Sequence, residues 1–197
     1  MANEARPSNQ RPVTEADVYE AVRQFILAYG LPGYPLANIY QGWQNRAALP
    51  TVNEYAVMSI LWMQQHGTAV EFFTAPDPDE SQPGQLMVKA LTEIVVQVDF
   101  CSEDDTARAR ADRLSVVARS SLGVMHFNDY GLSSLYADNV RDLSFVGGES
   151  QFVRRYAATL HLSTNNGVTA DFDYFNKVQM ERLENIDVHH LPKPKEG

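Results

Sequence analysis

LTEIVVQVDFCSEDDTARARADRLSVVAR, residues 91–119, holds a strand, a turn and a helix in one run. Ile94, Val96, Val98 and Phe100 share one face of the first part. Glu93, Gln97 and Asp99 share the other with Val95. That two-residue period predicts a half-buried strand. The period then lengthens: Ala107, Ala111, Leu114 and Val117/Ala118 recur at helical spacing as a narrow stripe of small residues, which lets a helix lie close on a sheet. Opposite that stripe run Arg108, Arg110, Arg113 and Arg119. Ser102 and Asp105 offer a capping box at the junction, and the acids of the first turn complement the helix dipole.

A strand that enters a helix through an acidic turn is also a common place for chemistry, so Cys101 requires a test. A helix N-terminus lowers a thiol pKa, but Glu103, Asp104 and Asp105 act in the opposite direction, and no motif pairs the cysteine with a histidine. The reading is a small residue filling space at a strand end. The junction is predicted to be structural.

Working back toward the N-terminus, Thr14-Glu15-Ala16-Asp17 has a capping-box shape. Val18, Val22, Phe25, Ile26 and Tyr29 follow at helical spacing, with Gly30 placed as a C-cap glycine and Pro32 just beyond. Residues 1–13 are polar, carry two prolines and are predicted to form a loose arm. A turn-rich segment leads to a short strand around Asn38 to Gln44. EYAVMSILWMQQH (54–66) is apolar on both faces, which predicts a central strand covered on both sides. Between Gly67 and Lys89 the pattern breaks, and TAPDPDESQPG reads as the tip of a long protruding hairpin.

Working forward, HFNDYGLSSLYAD reads as a broken, turn-rich patch before a short strand, VRDLSF. QFVRRYAATLHLS (151–163) alternates clearly and predicts a half-buried strand. Asn165-Asn166-Gly167 is a strong turn signal. The segment FNKVQMERLENIDV is ambiguous and leans to strand, and 189–197 read as a tail. The sequence therefore predicts one domain over 14–188, with 67–89 protruding from it.

Composition narrows function. The chain has 197 residues, 44% of them hydrophobic, a formal net charge of −9 and one cysteine. An acidic chain is a poor candidate for gripping nucleic acid, and one cysteine excludes a disulfide framework or a cysteine-based zinc site. No apolar leader and no run of 18 apolar residues occurs, which predicts a soluble, unsecreted protein. His66, His126, His161 and the pair His189-His190 are scattered and read as surface or tail residues. Asp171 and Asp173 are spaced for one strand face but lack further ligand spacing. No phosphate-binding glycine loop and no nucleophile elbow is present. We expect no cofactor, no metal and no catalysis. The candidate functional residues are charged ones for protein contact: Arg108, Arg110, Arg113, Arg154, Arg155, Asp77, Asp79 and Glu80.

The order of elements resembles the neck or tail terminator proteins of tailed bacteriophages over about Thr14 to Val188. The likeness is carried by the VQVDF strand with its alanine-rich helix and by the aromatic-Val-Arg-Arg-aromatic strand that ends in LHL. The resemblance implies an α+β subunit, a mixed and mostly antiparallel sheet with helices packed on it. It also implies a hexameric ring that caps the tail tube, stops its growth and offers a docking surface to the head connector. The implied partners are other copies of the chain, the tail tube protein, a head–tail connector or stopper protein, and a sheath protein if the tail is contractile. DNA would pass through without specific binding, and no membrane is involved. The implied location is the virion neck, after assembly in the host cytoplasm. Two other readings stay open: a head-completion or stopper protein, and a small α+β enzyme or ligand-binding domain.

Overall fold

The structure is a computed structural model and describes residues 12–42, 54–75, 84–146 and 152–171. Helix α1 (Glu15–Phe25) starts as expected. The Thr14 hydroxyl accepts from the Asp17 amide, and the Asp17 carboxylate accepts from the Thr14 amide at 2.9 Å, so two orphan donors are satisfied reciprocally. The helix relaxes into a π-turn over Ile26–Gly30. Gly30 is needed for closeness rather than for a cap: a Cβ there would sit 2.7 Å from Cζ of Phe100.

The sheet has seven strands: β1 (Ile39–Gln41), β2 (Glu54–Thr74), β3 (Gln85–Ser102), β4 (Ser133–Ala137), β5 (Arg141–Asp142), β6 (Phe145–Val146) and β7 (Phe152–Asp171). The main order is β1-β2-β3-β7-β4, with β5 and β6 also pairing with β7. Only β1–β2 is parallel, so the sheet is mixed and mostly antiparallel. Helices α2 (Thr106–Ala118) and α3 (Ser121–Asn128) pack with α1 on one face. The core between them joins Val18 and Phe25 of α1, Ile26 of the π-turn, Ala107, Ala111 and Leu114 of α2, and Phe127 of α3 to Met58, Val96, Val98, Phe100 and Leu160 of the sheet. The fold is α+β, and the alternation of 94–100 places its apolar set on the helix side as read.

Five local expectations fail, each for a physical reason. The central strand is β3, not β2: past Ile60, β2 has no outer neighbour among the described residues, and Leu61 and Trp62 stay exposed. The break predicted after Gly67 is instead a continuation of strand, since β2 runs to Thr74 and pairs through Val70–Thr74 with Gln85–Lys89. Residues 76–83 lie outside the described part. Asn165-Asn166-Gly167 does not turn; all three stay in β7, paired with Leu91, Ala90 and Lys89. There the Asn166 side chain binds the Val13 backbone at both its amide (2.9 Å) and its carbonyl (3.2 Å), tying the residue just before the α1 cap to the sheet.

The second capping box does not form. Asp105 adopts φ −78° and ψ 3°, not the extended geometry of a capping residue, and its side chain caps nothing. Ser102 Oγ instead accepts from the Ala107 amide and Asp104 from the Thr106 amide. Finally, the patch read as broken, 126–138, holds the last three residues of α3 and all of β4; α3 itself begins earlier, capped by Ser120 Oγ on the Leu122 amide. The strand leaning of FNKVQMERLENIDV falls outside the described residues. Among the described residues no helix is long and apolar enough to cross a membrane.

Candidate functional site

The sheet face away from the helices carries the polar side chains that alternation assigned to it. Asp99 is 2% exposed and its carboxylate oxygens are satisfied, because Arg155 Nη2 donates to it at 2.8 Å and Gln97 Nε2 donates to both oxygens at 3.0 and 3.1 Å. The bond to Asp99 raises the Arg155 pKa above its ordinary value. Arg141 closes the group by donating to Thr159 Oγ1 at 3.2 Å. Beside it Cys101 is buried, and burial pushes both its thiol and the Tyr55 phenol upward, the latter to about 12. A thiol kept neutral is a poor nucleophile. It acts as packing at the strand end.

Further along the same face, Glu93 is held between two histidines. His161 Nδ1 lies 2.9 Å from Oε1, and His66 Nε2 lies 2.8 Å from Oε2. His161 Nε2 is 3.5 Å from Asp138 Oδ2, and the ring stacks on Tyr136 with centroids 4.0 Å apart. The His161 hydrogen bond, with help from His66, lowers the Glu93 pKa below its ordinary value. This cluster clasps β2, β3 and β7 to the segment after β4. Among the described residues no group of three His, Cys, Asp or Glu is arranged to hold a metal ion.

His66 is exposed as read, but His161 and His126 depart from the surface reading. His161 is buried, and His126 Nε2 bonds the Ala21 carbonyl at 2.9 Å while its ring packs on Phe25 and Phe127, locking α3 to α1. His189 and His190 lie outside the described residues.

The arginines singled out by sequence do not form one surface. Arg110 points inward: its Nη2 donates to Glu54 at 2.8 Å and to the Tyr34 hydroxyl at 3.2 Å, and Tyr34 also bonds Glu54. Thr106 Oγ1 completes the knot at 3.1 Å, joining α2 to the start of β2. Arg155 is committed to Asp99, and Arg154 pairs with the exposed Asp105. Arg119 donates to the Ala137 carbonyl, tying the end of α2 to β4. Arg108 and Arg113 remain on the outer side of α2, Arg108 in a loose 3.6 Å pair with Asp112 and Arg113 beside the depression lined by Gly30, Pro32 and Tyr34. Asp77, Asp79 and Glu80 lie outside the described residues, and so does Asp173, while Asp171 is exposed at the end of β7.

Charge-based reading passes over the exposed apolar side chains. Phe72, Phe73, Val70 and Val168 stand out from the far part of β2–β3–β7; Val116, Leu122 and Met125 stand out from α2 and α3. The sequence held one signal, since adjacent phenylalanines in a strand must point to opposite faces. A strand with one covered face does not need both.

The family model for the phage neck terminator protein matches residues 16–193, and the chain belongs to that family. A comparison with curated proteins returns no match. The family is one of structural proteins of the phage neck, not of enzymes.

Proposed function

We propose that this neck terminator assembles as a hexameric ring on the end of the phage tail tube, stops the tube from growing and presents the surface on which the head connector docks. The observation that carries the reading is a family match over nearly the whole chain, on a subunit whose strands run well past its own core. Most of its internal charge is spent on clamps such as Arg110–Glu54 and Arg155–Asp99. What it offers outward is apolar strand and helix surface, suited to protein neighbours. Six copies would carry six times −9, about −54, and acidic groups near a bore would repel passing phosphates. Assembly in the host cytoplasm and incorporation at the virion neck follow from the same reading.

The test is a phage lacking this gene, examined by electron microscopy and complemented with the intact chain. The expected result is filled heads that fail to join tails, and tails that are overlong or lack a terminal ring. Tails of normal length that join normally would overturn the reading. Normal tails with heads that leak DNA would transfer the protein to the stopper role.

A further inference from the structure

We infer that the β2–β3–β7 arm of one copy seats its helix-side face on the α2–α3 surface of a second copy, in a head-to-tail contact. This inference rests on the ring reading above.

The arm is defined by register. Val70–Thr74 of β2, Gln85–Lys89 of β3 and Gly167–Asp171 of β7 pair as three strands, with no further strand beside them among the described residues. Opposed residues in a sheet point the same way. From Ile94–Leu162, which faces the helices, the unbroken β3–β7 register carries that face to Val88–Val168 and Leu86–Ala170. β2 adds Phe73, opposite Leu86, and Glu71, opposite Val88. The face therefore presents an apolar cluster with a single acid. Phe73 is 63% exposed and Val168 68%.

The second surface lies on the same subunit. On α2, Arg113 and Val116 lie three residues apart on the side opposite the buried Ala107, Ala111 and Leu114 stripe, and on α3 Leu122 and Met125 face outward. Val116 is 68% exposed and Met125 66%. Among the described residues Arg113 has no acidic partner within salt-bridge distance, and Glu71 has no basic one.

Three features choose a second copy as the occupant. The charges are opposite, one acid within the apolar cluster of the arm and one unpaired arginine beside that of the helices. The compositions match: each patch sets exposed apolar side chains (Phe73 and Val168 on the arm; Val116, Leu122 and Met125 on the helices) beside one charge, the make-up of a protein interface a little over half apolar. The two surfaces are also different from each other, one formed by strands and the other by helices. Contacts between unlike patches generate rings or filaments, whereas a self-matching patch yields only a closed pair.

The test uses the full chain, whose one native cysteine is buried. Phe73→Cys, Met125→Cys and the double variant are treated with a short bis-maleimide, in concentrated solution and on purified tails, and the same samples are imaged. The expected result is a ladder of cross-linked species from the double variant, only dimers from an equal mixture of the two single variants, and monomer from either alone. Glu71→Arg is expected to lower the dimer yield of the mixture several-fold, and Arg113→Glu on the other component to restore it. Phe73→Cys linking to itself would replace the contact with a symmetric pair. Phe73→Cys linking only to the tube protein on tails would make the tube the occupant. Rings without a ladder would overturn this contact and leave the ring reading intact; neither rings nor ladder would overturn both.

Discussion

Strand β3 keeps one register with β7 from Gln85 to Ser102, yet its two halves live differently. From Ile94 to Phe100 every second side chain enters the core under α1 and α2, and the other face is closed by Asp99–Arg155 and the Glu93 clasp. From Gln85 to Leu91 the same ladder carries exposed apolar residues on both faces of the arm. Hydrogen bonding alone therefore does not set the length of these strands. The near half is justified by the helices laid over it; the far half keeps Phe72, Phe73 and Val168 exposed among the described residues.

The sharpest way to break that contrast is to truncate one aromatic from each half. Phe100→Ala removes a buried ring packed against Gly30 and is expected to cost about 3–5 kcal/mol in a urea melt. Phe72→Ala, on an exposed site, is expected to stay within about 0.5 kcal/mol. Equal losses would mean that the arm packs within its own subunit. A smaller effect is expected from Cys101→Ser, about 1–2 kcal/mol, because a new hydroxyl enters a buried site that held a thiol. Loss of phage assembly with an unchanged melt would instead assign that thiol a chemical role.

The smallest expected effect is in pH. Glu93 titrates below its ordinary value in the folded chain, chiefly through the hydrogen bond from His161. Its contribution is complete above the unfolded pKa and fades as pH falls through the folded one. Asp104 and Asp142 are shifted the same way, so wild type loses stability in acid on several counts. The difference between wild type and Glu93→Gln isolates the clasp: the variant's urea midpoint should fall less steeply below the ordinary carboxylate range. Parallel curves would remove the clasp from the account of the near half.

The near half was legible because two complete periods were written into 91–119, one of two residues and one helical. Other elements left weaker traces. SLGVMHFN spans only eight residues, has a glycine inside and exposes Leu122, Val124 and Met125, so α3 lacks a clean amphipathic stripe. Asn165-Asn166-Gly167 has turn chemistry, but pairing with Leu91, Ala90 and Lys89 overrides it. The arginines misled because their partners are far away in sequence. Arg110 finds Glu54, and Arg155 finds Asp99, each across 56 positions that only the folded sheet closes. The family match reached what no local pattern could, a role that depends on neighbours.

One irregularity in β2 bears on geometry. Between the pairs Ile60–Val96 and Val70–Lys89, β2 advances ten residues while β3 advances seven, with breaks in register after Ile60 and after His66. Gly67, at φ 71°, takes a conformation other residues resist at the second break. A strand with surplus residues on one side bends and twists its neighbours. The arm is thus born curved, as a strip bends when one edge is longer than the other. In the ring proposed above, that bend would act as a protractor: it would fix the angle from one copy to the next, and so the number that completes the circle.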